Sequence, residues 1–403
     1  VNLPTSAMLL WKLHLVGLTL VATERWSAER ARAWTEEWRL GANYLPSNCG
    51  NVLELFDSKN FDASLLVAER ELNLARAAGF RALRVFLHEE LFFREEQGFL
   101  KKISRLLDLF QRHGMSVMLV LFDACWRPDL PEPGEDPYLP GVHNSAWLQC
   151  PSHDVLKAFG AGESWALQRL QRYVTGVVTY FSKDPRVSVW DIYNEPTQRQ
   201  SEHLIMPRLN ALHGRDVNNY PAHWLLDGPK LQIVMTLLEK AFEWARMAEP
   251  VQPLTTAVWE FPTTEDEEDV KQFKELLNQK LLDLSDVPSL HCYCPPEQLE
   301  ERLSDLAQLQ RGPVLVTEFM ARPLDSTLTN SLPVLKTHSA WGYTWGLFQG
   351  RSNTHVPWNT WLSTDIGKDD PWFHDVFHSN GTAYDAEELK SVWWHTTGST
   401  FRI

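Results

Sequence analysis

The feature that most constrains this chain is the regular return of short, nearly unbroken apolar runs. They are RLGANYLP (39–46), RALRVFLH (81–88), MSVMLVLFD (115–123), RVSVWDIYN (186–194), PLTTAVWE (253–260), SLHCYC (289–294), PVLVTEF (313–319) and WGYTWGLF (341–348). A strand with one face in water alternates apolar and polar residues, whereas a run that is apolar throughout is buried on both faces. Between the runs lie stretches of helical period at 62–78, 97–113, 163–181, 229–248, 264–282, 296–310 and 326–338. Gly79 and Gly114 follow the first two, each suited to a left-handed cap. Strands alternating with helices predict a parallel α/β sheet, and eight such units close into a single (β/α)8 TIM barrel. A doubly wound sheet is the rival, but the chain lacks a Gly-rich phosphate loop.

The barrel is expected to occupy residues 25–403. Residues 1–24 are set apart as an extension of uncertain status. Their apolar stretch MLLWKLHLVGLTLVA (8–22) is interrupted by Lys12 and His14. It is too short to span a bilayer and lacks the basic start of a signal peptide. A leader, an upstream translation artefact and a first helix are all open readings. A cytoplasmic location is the expectation, with secretion the alternative if 1–22 acts as a leader. The net charge of −14 argues against nucleic acid or an anionic membrane as partner, since both demand a basic face. Part of that charge, TTEDEEDVKQF (263–273), suits an acidic first turn of a helix.

Cys49, Cys125, Cys150, Cys292 and Cys294 are an odd, scattered set, unlike a secreted disulfide framework. Cys292 and Cys294 lie two apart in an apparent strand. Both then point the same way, so all five are expected as buried thiols. No metal and no cofactor are expected. Eighteen Trp is an unusual number. Most are expected to pack, and a surplus in loops suits stacking on flat ligands such as sugar rings.

Two connections are long: 124–154, which carries five prolines between 128 and 140, and 197–229. Both follow strand C-termini, the face where barrel sites form. At those termini sit Asn194 and Glu195 (fourth strand), Glu318 (seventh), His291 and Tyr293 (sixth), Trp345 (eighth), Arg84 and His88 (second), and Asp123 with Trp126 (third). A lone strand-end Glu is an ordinary ion-pair partner. Two that project into one mouth are what glycoside hydrolysis requires: one protonated to donate, one ionised to attack, about 5 Å apart in a retaining enzyme. With Tyr293 one strand away and Arg84 across the barrel, Glu318 fits the nucleophile, and Glu195 beside Asn194 fits the acid/base.

YNEP on the fourth strand, HCY on the sixth, VTEF on the seventh and the eighth-strand Trp together resemble clan A glycoside hydrolases, especially glycoside hydrolase family 5 and its cellulase-like relatives. The resemblance runs from about RWSAERARAW (25–34) through NGTAYDAEEL (380–389). VFLHEELF, LFDACW, GVHNSAW, TEFMARP and WFHDVF look like a bacterial subgroup labelled cellulase or β-xylanase. The resemblance implies Glu195 as acid/base and Glu318 as nucleophile of a retaining double displacement. It also implies that Asn194 holds the sugar 2-hydroxyl, His291 and Tyr293 orient the carboxylates, Arg84 holds Glu318, and Trp345 floors the subsite. The second strand departs from it, reading RVFLH where many relatives have Arg followed by Ile and Pro.

His88, Asp123, Asn144, His143, Trp126 and Trp259 are candidates to line sugar subsites or to support them from behind. Gln349, His355 and Trp358, in GLFQGRSNTHVPWNTW (346–361), are candidates to cover a substrate. The expected partner is a carbohydrate, with oligomeric state unspecified. A catalytically inactive or transglycosylating barrel is the alternative. A metal-dependent hydrolase using His88, Asp123 and His291 would want a His-x-His on the first strand, which RLGANYLPS lacks. The 197–229 connection, if it closes one end of the cleft, would favour short oligosaccharides.

Overall fold

Every residue of Ala82–Phe86 and of Val187–Asn194 is buried, and their apolar continuity is the reason these segments become interior strands. The computed structural model describes residues 25–132, 134–198, 205, 229–309 and 312–399. The apolar stretch at 8–22 and nearly all of the 197–229 connection lie outside the described residues. The strands are β1 (Leu40–Asn43), β2 (Ala82–Phe86), β3 (Ser116–Asp123), β4 (Val187–Asn194), β5 (Leu254–Thr255), β6 (Ala257–Val258), β7 (Ser289–Cys292), β8 (Leu315–Phe319) and β9 (Trp341–Thr344). All pairings are parallel, in the order β5-β4-β3-β2-β1-β9-β8-β7-β6.

β5 and β6 are two halves of one barrel strand. β5 bonds to β4, β6 bonds to β7, and Thr256 breaks the ladder between them. The Thr256 amide turns to Ser285 Oγ at 3.1 Å and its hydroxyl donates to Tyr193 O at 2.8 Å. The nine strands therefore fill eight barrel positions, and the fold is the (β/α)8 barrel that the alternation predicts. The fifth and eighth strands are shorter than their apolar runs, which places Trp345 one residue beyond β9.

Inward-facing residues on β2 run Ala82, Arg84, Phe86. Ala82 belongs to an apolar cluster with Met118, Val189, Leu315 and Trp341, closed below by Ala31 of helix Ala28–Trp34. Phe86 belongs to a second cluster with Val120, Trp126, Trp147, Trp345 and Trp361. Arg84 lies between the two. Pairing sets the level of the polar layer, for Asn43 is in register with Arg84, Asp123 with Asn194, and His291 with Glu318.

Five helices at 28–34, 52–56, 89–94, 153–160 and 386–397 were not among the periodic stretches. Most are one to three turns long, too short for periodicity to separate from a loop. The last is fastened by Arg322, which follows β8. Its guanidinium meets Glu388 (Nη2 to Oε2, 2.6 Å) and donates to the carbonyls of Trp372 (3.1 Å), His374 (2.6 Å) and Asp375 (2.9 Å). Both side chains of the ion pair are nearly fully buried. Arg322→Met strands the Glu388 carboxylate and should lower the unfolding free energy by about 3–5 kcal/mol. Urea titration measures it, and adding Glu388→Leu should recover part of the loss.

Candidate active site

β4 stops at Asn194, and Glu195 then adopts φ +42°, the left-handed region that non-glycine residues rarely occupy. Such a conformation costs on the order of 1–3 kcal/mol and persists only where its surroundings impose it. Here the chain turns back, so that the Gln198 amide donates to Glu195 O at 2.9 Å. Thr197 Oγ1 then donates to Glu260 Oε1 at 2.9 Å, tying the turn to the end of the fifth strand. Pro196 sits inside this turn, where it has no amide to leave unpaired.

The structure brings Glu195 and Glu318 together, with His291 between them. One donor atom from each of the three lies within 4.8 Å of the other two. His291 Nδ1 is 2.7 Å from Glu195 Oε1 and 3.5 Å from Glu318 Oε2. Tyr293 OH donates to Glu318 Oε2 at 2.6 Å. Arg84, fully buried, donates to Glu318 Oε1 (2.8 Å), Asp191 Oδ2 (3.1 and 2.8 Å), Asn43 Oδ1 (2.7 Å) and Asn194 Oδ1 (2.6 Å). Asn43 and Asp191 were not singled out from the sequence. Their only signal is an inward-facing polar residue on a buried strand.

Burial pushes both glutamates upward from the ordinary carboxylate range. Their donor sets differ. Glu318 faces the Arg84 guanidinium and the Tyr293 hydroxyl, which favour its ionised form. Glu195 receives uncharged groups: Gln198 Nε2 at 2.8 Å, Cys125 Sγ at 3.3 Å, and His291. Burial lowers His291 to about 4, so its imidazole is neutral above that pH. For Arg84, burial alone would depress the pKa, but Asp191 and Glu318 raise it.

The remaining candidates divide. Asp123 accepts from Asn194 Nδ2 (2.9 Å) and Trp147 Nε1 (2.7 Å), and burial raises it to about 6. With its amide oxygen turned to the mouth, Asn144 accepts from Trp126 Nε1 (3.1 Å) and Trp345 Nε1 (3.3 Å) and donates to Ser352 O (3.1 Å). Asn144, Trp126 and Trp345 are thus buried together as wall. His143 is buried behind them, its ring against Trp126 and His374. His88 is turned away, bonded to the Gln149 carbonyl and paired with Glu89 at 2.6 Å, both fully buried. Trp259 is only partly buried, and its indole N–H has no partner among the described residues. Trp358 meets the Tyr293 ring edge-on at 5.2 Å, while His355 packs on Trp372 and Gln349 joins Phe377 through its backbone.

One expectation is corrected. Cys292 and Cys294 form a disulfide, while Cys49, Cys125 and Cys150 are free and buried. β7 ends at Cys292, so Cys294 is not in the strand. The two Cα atoms are 5.2 Å apart, less than the roughly 6.6 Å that two extended residues span. That contraction removes the reason for keeping the thiols separate.

Among the described residues, two trios have the donor atoms to ligate a metal: Glu195, His291 and Glu318, and His88, Glu89 and Cys150. In the first, a cation would sit beside the Arg84 guanidinium and compete with donors already on both carboxylates. In the second, the His88 ring is already held by Gln149 and Glu89.

No family model and no curated protein matches the chain. Solved structures do. A β-glucosidase designated 1317 superposes with a TM-score of 0.58 at 13% identity, covering 90% of this chain and 99% of that one. An exo-β-1,4-mannosidase from Opitutaceae bacterium strain TAV5 gives 0.53 at 16%, covering 95% and 62%. A β-mannanase from the blue mussel Mytilus edulis gives 0.51 at 15%, covering 83% and 93%. At these identities the likeness establishes the barrel fold, the one that the resemblance of YNEP, HCY and VTEF implies.

Asn144→Leu removes the acceptor of two buried indole N–H groups at once. It should lower the unfolding free energy by about 2–4 kcal/mol, read by urea titration.

Proposed function

We propose that the protein is a retaining glycoside hydrolase acting on β-linked glycosides or oligosaccharides. The observation that supports this most is the pair of buried strand-end carboxylates, Glu195 and Glu318, with oxygens within 4.8 Å. A retaining pair is about 5–5.5 Å apart, whereas an inverting pair needs room for a water between. Likeness of fold to solved β-glycosidases and mannanases is consistent with it.

In the first step the Glu318 carboxylate attacks the anomeric carbon as the glycosidic C–O bond breaks, and Glu195 gives its proton to the departing oxygen. A glycosyl ester on Glu318 results. Glu195, now ionised, takes a proton from water as that water's oxygen attacks the anomeric carbon and the ester bond breaks. Arg84 and Tyr293 hold Glu318 anionic and aimed. Asn194 has its oxygen committed to Arg84 and one amide proton to Asp123 (2.9 Å), while among the described residues the other faces only the Cys125 sulfur at 3.4 Å. Sulfur is a weak acceptor, so a sugar 2-hydroxyl replaces it at little cost. Trp259, partly exposed just beyond the fifth strand, offers an indole face on which a sugar ring can stack.

Glu318→Gln should abolish turnover of aryl β-glycosides, and a variant as fast as the parent would remove the nucleophile assignment. Product anomers read by NMR should show net retention, and inverted products would overturn the two-step scheme. Exhaustive chelation should leave the rate unchanged.

The pH dependence follows from the two protonation states. Glu318 must be ionised, so rate falls as pH drops, and Glu195 must be protonated, so rate falls as pH rises. Because burial raises both groups, each limb of kcat/KM should lie above the ordinary glutamate value near 4.3. Glu195→Ala should slow substrates with poor leaving groups by about 10²–10⁴-fold. The same variant should lose the alkaline limb for activated ones.

A further inference from the structure

Glu195 Oε2 receives two donors from residues outside the strand-end motif. Gln198 Nε2 donates at 2.8 Å and Cys125 Sγ at 3.3 Å, while among the described residues Oε1 meets only His291 Nδ1 at 2.7 Å. Each oxygen of an ionised carboxylate offers about two lone-pair sites. On Oε2 both are taken, whereas Oε1 keeps one open. We propose that Gln198 and Cys125 are positioning residues that occupy Glu195 Oε2 and thereby assign the catalytic proton to Oε1. The inference rests on Glu195 being the acid/base.

Local structure explains how each donor arrives. The left-handed Glu195 turns the chain so that Gln198 returns over its own strand end, backbone amide to Glu195 O and side-chain amide to Glu195 Oε2. Cys125 is held by its backbone amide on Asp123 Oδ1 at 3.0 Å, and the following Trp126 has φ +70°. The thiol gives its one proton to Glu195 and accepts from Asn194 Nδ2 at 3.4 Å. It thus joins the amide proposed to read the 2-hydroxyl to the carboxyl proposed to protonate the leaving group. Both donors bond the ionised form, so both hold Glu195 down against the upward pull of burial. The other titratable and charged groups facing Glu195 are His291 on β7, Tyr293 just beyond it, Glu318 on β8, Arg84 on β2 and Asp123 on β3.

The test is a ¹³C-NMR titration of enzyme labelled at the glutamate carboxyls, with the Glu195 signal identified by its loss in Glu195→Gln. Gln198→Met and Cys125→Ala each remove a donor at nearly constant shape. Each should raise the Glu195 midpoint by roughly 0.5–1 pH unit. Cys125→Ser, which keeps a donor, should stay near the parent. The alkaline limb of kcat/KM for 4-nitrophenyl β-D-glucoside or β-D-mannoside should move in step, a change that a purely structural role would not produce. If Gln198→Met does not fold, the Cys125→Ala and Cys125→Ser pair decides. Midpoints that do not move overturn the inference. Azide rescue of Glu195→Ala on a 2,4-dinitrophenyl glycoside separates the two failures. Rescue with unmoved midpoints leaves the acid/base role intact and sinks only the positioning, and a Glu195→Ala variant as fast as the parent without azide sinks both.

Discussion

The polar centre of this barrel depends on one guanidinium. Arg84 is fully buried, and its donors are spread over Asn43, Asp191, Asn194 and Glu318, from three different strands. A lysine could offer charge but not this planar fan of donors. Burying a cation is unfavourable unless it is paired and fully hydrogen-bonded, so its partners must arrive at one level of the barrel together. The strand registers supply that level. The two apolar clusters above and below keep solvent from weakening the bonds.

Around that centre, burial and bonding pull in opposite directions. Exclusion of water raises both glutamates, and the donors on each decide how far it is held back. A charged donor serves one carboxyl and neutral donors serve the other. In the proposed double displacement this division gives two chemically identical side chains different tasks at one pH.

Much of this was legible in the chain. Continuous apolar runs ending in polar residues placed Glu195, Glu318, His291 and Tyr293 at strand ends and Arg84 on the second strand, because strand periodicity and barrel geometry leave few other places for them. What escaped were contacts that no spacing encodes. Gln198 reaches Glu195 only because Glu195 is left-handed, and a glutamate followed by proline does not announce that. The break at Thr256 is set by Ser285 on a neighbouring connection. His88 looked like a mouth residue because of its position after β2, but the nearby Gln149 carbonyl and Glu89 claimed its ring. The Cys292–Cys294 bond was misjudged because the strand was read two residues too long.

The Asn144 amide has a consequence for how such a barrel can change over time. It belongs to the connection after β3, yet it is held by an indole from beyond β9 and by the Ser352 carbonyl. Tyr138 and Asn353 meet across the same gap at 3.2 Å. Barrels diversify by exchanging loops one at a time on a constant frame. Here two of the loops share buried hydrogen bonds, and transplanting the connection after β3 without its partner would leave the Trp345 indole and the Ser352 carbonyl without the Asn144 amide.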